Sequence, residues 1–171
     1  MSPAALPRVL VNGWPGSGKT TLARALGAEL GWPVLGKDTI KESVADALPG
    51  LGSQHAGSAA FEVLWALAAD VPTPLVVDAF VARERAASVV AALAPGHVLE
   101  VWCAVPVEVA RERYERRAPR RHPIHGERPA RFDEWTERDG PLGVAPCLRV
   151  DTSGAVDIGA VREWLAATSA L

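Results

Sequence analysis

The feature that most constrains this chain is the stretch VLVNGWPGSGKTTLARAL at residues 9–26. Three apolar residues lead into a glycine-rich turn, which is followed by a lysine, two threonines and a segment of helical pattern. Glycines let a backbone curl so that successive N–H groups point inward, and the positive end of a following helix adds to the same field. The stretch therefore predicts a strand, an anion-binding loop and a helix in direct succession.

Residues 13–20 match GxxxxGK[ST] at every fixed position, and they lie between a strand and a helix as this nucleotide-binding motif requires. In such a loop Lys19 contacts the β- and γ-phosphates, and the Thr20 hydroxyl binds Mg²⁺. The residues predicted to bind the nucleotide here are Gly13, Trp14, Pro15, Gly16, Ser17, Gly18, Lys19, Thr20 and Thr21. We predict a site for ATP and Mg²⁺.

Short apolar runs alternate with helical patterns along the chain. The predicted strands cover residues 8–12, 33–35, 75–78, 98–105 and 147–150. The predicted helices cover residues 19–30, 39–47, 58–69, 83–94, 106–117, 130–138 and 156–167. Runs such as 75–77 have no polar alternation, as expected for parallel strands covered on both faces. The pattern predicts a single α/β domain over residues 1–171 with right-handed crossovers.

Charge and composition exclude several classes of partner. The formal net charge is −2 and the pI about 6.1, so no nucleic-acid partner is expected. No uncharged run approaches the length of a membrane span, and we expect no leader because residues 8–12 already form a predicted strand. The cysteines, Cys103 and Cys147, do not have the spacing of metal ligands. They are expected to be reduced thiols in the core. We expect a cytoplasmic protein, whose oligomeric state the sequence does not indicate.

Other motifs narrow the class of nucleotide-binding protein. A GTPase of the usual kind reads guanine through NKxD, but Asn12 is the only asparagine in the chain and lies just before the phosphate loop. An AAA+ motor would need a longer chain and usually a polar sensor residue on a later strand. A small kinase is the class that is left.

Four segments together resemble small P-loop phosphotransferases, which include chloramphenicol phosphotransferase, the kinase domain of polynucleotide kinase and zeta-toxin-like proteins. The segments are GWPGSGKTT at 13–21, LGKDTIKE at 35–42, LVVDAF at 75–80 with Arg83 and Arg85 after it, and ARERYERRAPRRHPIHG at 110–126. The resemblance implies a P-loop NTPase three-layer α/β sandwich. Its five-stranded parallel sheet would have the order 2-3-1-4-5, with helices on both faces and an arginine-rich lid at about residues 113–131.

The same resemblance implies transfer of the γ-phosphoryl group of Mg·ATP to a hydroxyl of a small molecule, for example an antibiotic or another natural product. Two alternatives stay open at this point. One is a polynucleotide 5′-hydroxyl kinase, and the other is a non-catalytic regulatory module that binds ATP.

Two aspartates are predicted at the carboxyl ends of strands, where open α/β sheets bind their ligands. Asp38 would orient an acceptor hydroxyl or take its proton, a role that the resemblance also implies. The alternative for Asp38 is an N-cap of the following helix. Asp78 ends the run LVVD and would hold Mg²⁺ through water, unless it caps the helix near Arg83.

Six arginines lie within residues 111–121. We predict that Arg117 and Arg120 stabilise the transferring phosphoryl group and that Arg113 and Arg121 make further nucleotide contacts. Two other interpretations stay open, namely a solvated basic face paired with glutamates and a grip on a nucleic-acid backbone.

Four further features lead to separate expectations. Trp14 either lines the acceptor pocket or packs on the edge of the sheet. His122 and His125 are expected to be exposed, with a contribution to lid polarity or a substrate contact as the alternative. Residues 51–70 are expected to shape the acceptor pocket. Residues 151–153, after the last strand, are expected to contact adenine through their backbone.

Overall fold

A computed structural model of the chain describes residues 6–93, 98–126, 132–138 and 140–169. The strands are β1 (Arg8–Asn12), β2 (Val34–Gly36), β3 (Leu75–Asp78), β4 (Val98–Ala104) and β5 (Cys147–Asp151). The α-helices are α1 (Lys19–Leu30), α2 (Lys37–Ala47), α3 (Ser53–Asp70), α4 (Ala86–Leu93), α5 (Val107–Arg117), α6 (Phe132–Arg138) and α7 (Ile158–Ser169). Short 3₁₀ turns lie at Arg83–Arg85, Ala118–Arg120 and Pro123–His125.

The five strands form one sheet in the order β2-β3-β1-β4-β5, and all neighbouring pairs are parallel. Leu10 in the middle of β1 lies beside Val77 of β3 and Glu100 of β4. The predicted strand order and direction are therefore confirmed. Because the strands are parallel, their carboxyl ends lie at one edge, where the phosphate loop follows β1.

Alternate residues of β1 pack on opposite faces of the sheet. Leu10 packs with side chains of α3 and α4, whereas Val9 and Val11 pack with side chains of α1 and α7. All three side chains are fully buried. Burying such a side chain contributes roughly 1.5–3 kcal/mol, which explains why a strand covered on both faces has no polar residue in its middle.

A third, smaller apolar cluster joins α5 to α6 beyond the end of β4. Tyr114 and Phe132 are buried there, with ring centroids 5.7 Å apart. This packing fixes the position of α5, whose buried Ala110 lies against Gly16 of the phosphate loop.

Several boundaries differ from the predicted ones. Helix α2 begins at Lys37, two residues earlier than predicted, and α3 begins at Ser53, five residues earlier. The helix predicted from residue 83 begins as a 3₁₀ turn and becomes α-helical at Ala86. The lid predicted at 113–131 and the helix predicted from 130 extend into residues outside the described part of the chain.

Among the described residues, no helix has the length and apolar character needed to cross a membrane.

Candidate active site

The phosphate loop between β1 and α1 has the backbone of an anion-binding nest. Gly16 and Gly18 have φ values of 89° and 92°, in the left-handed region that favours glycine. A Cβ atom at Gly16 would lie 2.0 Å from the carbonyl oxygen of Ala110 in α5. Glycine at position 16 thus provides the required φ and also allows α5 to lie directly against the loop.

Two cavities adjoin this loop. The first, the α1–α7 cavity, has a volume of about 480 Å³. Its apolar wall is formed by Leu22, Ala25, Val156 and Ile158. The second, the α2–α3 cleft, has a volume of about 450 Å³ and a more polar lining that includes Lys19, Thr20, Asp38 and Asp78. The structure therefore brings the predicted phosphate, metal and acceptor residues to one cleft.

Lys19 begins α1, and its ammonium group donates a hydrogen bond to the carbonyl oxygen of Trp14 at 3.0 Å. Burial lowers the pKa of Lys19, while the nearby carboxylates of Asp78 and Asp38 favour its charged form. The three groups thus share one electrostatic environment. The Trp14 ring makes an edge-to-face contact with Trp102 of β4 at 5.8 Å, which favours the sheet-packing interpretation of that residue.

A pair of oxygen atoms suited to a metal ion comes from Thr20, the second residue of α1, and Asp78, the last residue of β3. The Thr20 hydroxyl donates a hydrogen bond to the Asp78 carboxylate, which is almost fully buried. Burial raises the pKa of Asp78, and Lys19 and the Thr20 hydrogen bond oppose that shift. Hydroxyl and carboxylate oxygens are ligands that Mg²⁺ accepts, so these residues fit the predicted ion.

No group of three or more His, Cys, Asp or Glu side chains that could hold a metal ion comes together within the described ranges. Magnesium commonly uses one or two protein oxygens and takes its other ligands from water and substrate phosphates. The Thr20–Asp78 pair is therefore compatible with a Mg²⁺ site that depends on a bound nucleotide.

Asp38 is the second residue of α2, whose N-cap is Gly36, and no side chain caps this helix. The N-cap alternative for Asp38 is thus wrong. The Asp38 side chain is 60% exposed, and its Oδ2 lies 3.4 Å from Nη2 of Arg121. Burial acts to raise the pKa of Asp38, but positive groups, led by Lys37 and His125, outweigh it and hold that pKa below its ordinary value. An ionised carboxylate therefore faces the cleft.

Arg113 and Arg117 extend from α5 toward the cavities. Arg113 donates hydrogen bonds to the carbonyl oxygens of Thr152 and Ser153, at 2.9 and 2.8 Å, and lines the α1–α7 cavity. Arg117 lines both cavities. Burial lowers the pKa of Arg117, and the charge of Arg121 lowers it further. Arg113 thus fastens the β5–α7 connection, and Arg117 lies between the two cavities.

The other arginines of residues 111–121 have different surroundings. Arg111 pairs with Asp133 of α6, and exposed Arg116 pairs with Glu112 at 3.2 Å while reaching the rim of the α1–α7 cavity. Arg120 is exposed and lines neither cavity. The arginines predicted to act that do lie at the cavities are Arg113, Arg117 and Arg121.

The segment that follows α5 packs against α2. His122 Nε2 lies 3.0 Å from Asp46 Oδ1, and His125 Nε2 lies 2.9 Å from Glu42 Oε1. The His125 side chain is only 6% exposed, so the expectation that it is solvated is wrong. Burial lowers the pKa of His125 despite the Glu42 partner. The structure thus shows residues 121–126 in contact with the helix that begins at the cleft.

Thr152, after β5, links that strand to the phosphate loop. Its hydroxyl contacts the carbonyl oxygens of Ser17 and Ala104, at 2.6 and 3.2 Å. Thr152 also lines the α1–α7 cavity, as do Gly154 and Ala155 beyond it. The predicted adenine-contacting segment therefore borders the apolar cavity beside the loop.

A buried polar network under the phosphate loop was missed by the sequence analysis. The Asn12 amide donates to Glu100 Oε1 at 3.0 Å and accepts from the backbone N–H groups of Gly13 and Val81, at 2.8 and 3.0 Å. Glu100 is fully buried, and its second oxygen accepts from the Leu142 N–H at 2.9 Å. Burial raises the pKa of Glu100. The sequence did contain a signal of this network, because Glu100 interrupts the otherwise apolar run VLEVWCA at residues 98–104.

Residues 9–138 match the model of a protein family described as an AAA domain, a match that covers most of the chain. The match confirms the predicted relation to P-loop proteins, and it does not test the argument that set AAA+ motors aside. No curated protein matches the sequence.

Solved structures share the fold over nearly the whole chain. A candidate kinase from Chloroflexus aurantiacus J-10-fl is 27% identical with a TM-score of 0.78, over 96% of this chain and 98% of that one. A gluconokinase from Sinorhizobium meliloti 1021 is 20% identical with a TM-score of 0.62, over 97% and 93%. The tunicamycin resistance protein of Deinococcus radiodurans is 20% identical with a TM-score of 0.59, over 97% and 96%. The fold of this chain is that of P-loop kinases.

Proposed function

The chain belongs to the AAA domain family, and we propose that it is a kinase that transfers the γ-phosphoryl group of Mg·ATP to a hydroxyl of a small molecule. One observation carries this proposal. The α2–α3 cleft brings the phosphate-loop residues Lys19 and Thr20 to the same space as the ionised carboxylate of Asp38. A module that only bound ATP would not need a carboxylate facing the space next to the phosphates.

The proposed binding of ATP, the phosphoryl donor, rests on the charge and the shape of the site. Phosphoryl transfer requires positioning and charge neutralisation more than covalent chemistry. The N–H groups of the loop and the ammonium of Lys19 would bind the phosphates, and Thr20 and Asp78 would hold Mg²⁺. The ion, when bound, offsets negative charge on the phosphate oxygens. The apolar α1–α7 cavity beside the loop suits the nucleoside.

Asp38 is the residue that we propose to act on the acceptor hydroxyl. Its low pKa makes it a weak base, so it would first orient the acceptor hydroxyl through a hydrogen bond. As the new O–P bond forms and the bond to the β-phosphate oxygen breaks, the hydroxyl becomes acidic and its proton passes to the carboxylate. ADP carries away the electron pair of the broken bond.

Arg117 is the arginine best placed to act on the transferring group, because it lines both cavities. Its charge stabilises negative charge that builds up on the phosphate oxygens, and an arginine in this role contributes about 10³–10⁵ in rate. Arg121, next to Asp38, would support the acceptor side. A catalytic role for Arg120 and a lid at 113–131 stay predictions from the sequence.

The proposal is tested by acceptor-dependent release of ADP from Mg·ATP. Purified protein is incubated with a panel of small alcohols that includes hydroxylated antibiotics, which the likeness to a tunicamycin resistance protein makes worth trying. An oligonucleotide with a free 5′-hydroxyl serves as a separate arm for the polynucleotide kinase alternative. Phosphorylated product with at least one small alcohol is the expected result. ATP binding with no transfer to any acceptor would favour the regulatory module.

We also propose a cytoplasmic location. Cys103 and Cys147 are both free thiols, as a reducing compartment favours.

A further inference from the structure

Glu100 is a buried titratable residue that the proposed mechanism does not use. It lies in β4 beside Leu10 of β1, and none of its surface is exposed. Among the described residues, three hydrogen-bond donors meet its carboxylate: the Asn12 amide, the Leu142 N–H and the Cys147 thiol. Burial raises the pKa of Glu100, and these hydrogen bonds oppose that shift. An ionised carboxylate only accepts hydrogen bonds, so it can pair with all three donors.

The Asn12 side chain extends the pairing of β1 and β3 beyond the sheet. The backbone ladder continues to the hydrogen bond from the Ala79 N–H to the Val11 carbonyl, at 3.3 Å. After it, the Asn12 oxygen accepts from the Val81 N–H at 3.0 Å, and its NH₂ group donates to the Val81 carbonyl at 3.3 Å. The same oxygen accepts from the Gly13 N–H at 2.8 Å. One side chain therefore joins the start of the phosphate loop to the segment after β3.

These two segments provide two sides of the candidate active site. The phosphate loop begins at Gly13, and the segment after β3 follows Asp78, the proposed magnesium ligand. Three residues of that segment line the α2–α3 cleft, namely Ala79, Phe80 and Ala82. The separation between the nucleotide phosphates and this wall of the cleft therefore depends on how the Asn12 amide is held.

An asparagine side chain has two orientations that exchange its oxygen and its NH₂ group. In this structure the Asn12 oxygen faces two backbone N–H groups, so its NH₂ group needs an acceptor on the other side. Glu100 Oε1 is such an acceptor, at 3.0 Å. In the reversed orientation, NH₂ would face the N–H groups of Gly13 and Val81, and the amide oxygen would face a carboxylate. Glu100 therefore selects the orientation that joins the two segments.

We infer that Glu100 is a positioning residue of the active site, which fixes the Asn12 amide and thereby sets the separation between the phosphate loop and residues 79–82. This inference rests on the proposed function, because it assigns Glu100 a role in that reaction. Glu100 lines neither cavity, so it acts through Asn12 and not on nucleotide or acceptor. The position requires a carboxylate, because a neutral amide would offer one acceptor oxygen to three donors.

The test reverses the hydrogen-bonding polarity of the two side chains. Glu100→Gln places an NH₂ group against a hydrogen-bond donor, either the Asn12 amide or the Leu142 N–H. The double variant Asn12→Asp/Glu100→Gln restores the pairing in reverse, because the new amide donates to the new carboxylate and accepts from Leu142. Glu163→Gln, at an exposed position of α7, is the matched control.

Hydrogen exchange of single backbone amides, followed by NMR, reports on the Asn12 side chain directly. The amides of Gly13 and Val81 are compared with the amide of Val76 in β3, which donates to the Pro33 carbonyl at 3.0 Å. Urea denaturation gives the stability of each variant, and calorimetry gives its affinity for Mg·ATP. Transfer to an acceptor from the alcohol panel gives kcat and KM per folded protein.

In Glu100→Gln, exchange at Gly13 and Val81 should speed up roughly ten- to hundredfold more than at Val76, as expected for loss of one hydrogen bond to a charged group. A residue that contributed only to global stability would speed exchange at all three amides alike. Mg·ATP affinity should fall, and kcat should fall as well because the segment after β3 also moves.

The double variant should recover most of the protection at Gly13 and Val81. It should recover only part of the ATP affinity, since its negative charge lies next to the phosphate loop. Glu163→Gln should match the parent protein. Equal acceleration of the three amides in Glu100→Gln, no recovery in the double variant, or the same effect in Glu163→Gln would each overturn the inference.

Should Glu100→Gln fail to fold, the double variant decides alone. A folded protein with protected Gly13 and Val81 amides supports the positioning role, and an unfolded one contradicts it. Failure of the proposed function has a different signature. If the parent protein phosphorylates no compound, the kinase proposal falls, while amide exchange and ATP affinity still decide the role of Glu100 at the phosphate loop.

Discussion

Nη2 of Arg121 lies 3.4 Å from Oδ2 of Asp38, and the same guanidinium lies over the ring of Tyr114, 5.3 Å from its centroid. The residue that ends the arginine-rich stretch is thereby joined to the carboxylate at the start of α2. Because Tyr114 packs with Phe132 of α6, this contact connects the cleft to the small apolar cluster of α5 and α6. The position of α5 and the charge of Asp38 are therefore linked.

Replacing Asp38 with Asn should abolish phosphoryl transfer and leave ATP affinity almost unchanged. The amide cannot take the proton of the acceptor hydroxyl, and loss of such a group commonly costs about 10²–10⁴ in rate. ADP release with the identified acceptor and calorimetric ATP binding measure the two effects. Asp70→Asn, at the exposed end of α3, is the control. Transfer at the parent rate by Asp38→Asn would exclude the proposed role.

Replacing Arg117 with Ala should lower turnover by at least about tenfold and change ATP affinity less, because its charge acts mainly on the transferring group. The sequence analysis assigned Arg120 the same role, but that side chain is exposed and lines neither cavity. Arg120→Ala is expected to have the smaller effect. Steady-state kinetics of both variants measure these effects. A larger loss of turnover in Arg120→Ala than in Arg117→Ala would show that residues 117–120 rearrange during turnover.

Replacing Gly16 with Ala should abolish ATP binding or destabilise the fold. The new Cβ would meet the Ala110 carbonyl oxygen at 2.0 Å, and α5 would have to move. Gly143→Ala is a matched control, since Gly143 also has a positive φ, of 75°, but has no atom within 4 Å of the added Cβ. That control should lose only the roughly 1–2 kcal/mol of a left-handed residue. Equal losses in urea denaturation would contradict the packing argument.

Replacing Asn12 with Ala should lower the free energy of unfolding by about 2–4 kcal/mol, because it leaves buried backbone N–H groups of Gly13 and Val81 without their acceptor. Since Gly13 begins the phosphate loop, ATP affinity should fall as well. Urea denaturation and calorimetry measure the two effects. A loss below about 0.5 kcal/mol would mean that water or a rearranged loop satisfies these groups.

His125 should make stability depend on pH. Burial lowers its pKa, with Lys41 and Arg121 acting in the same direction and Asp38 and Glu42 opposing. The unfolded chain then binds this proton more readily than the folded protein, so the free energy of unfolding decreases as pH falls below about 6.5 toward the lowered pKa.

The variant His125→Gln should flatten that part of the pH profile, whereas His55→Gln, at an exposed position, should not. Thermal denaturation between about pH 7.5 and 5.5 measures both. A profile that is equally steep in His125→Gln would assign the dependence to other groups.

The sequence alone predicted the parallel α/β sheet, the phosphate loop, the aspartate that follows β2 and the aspartate that ends β3. These features depend on local rules. Gly16 and Gly18 permit the left-handed backbone that the phosphate loop requires. An unbroken apolar run such as Leu75–Val77 is stable in a strand only where layers of helices cover both faces of the sheet. The strand order came from a resemblance to known proteins, because no local pattern states which strands become neighbours.

Only the tertiary structure decided which polar side chains meet. A run of arginines at helical spacing does not reveal that Arg117 lines the cavities while Arg120 lines neither, since this depends on how α5 is rotated against the phosphate loop. The burial of His125 against Glu42 and the network of Asn12 with Glu100 join residues 83 and 88 positions apart. Contacts of that range arise when the chain packs as a whole, and hydrophobic periodicity, which acts within one element, carries no information about them.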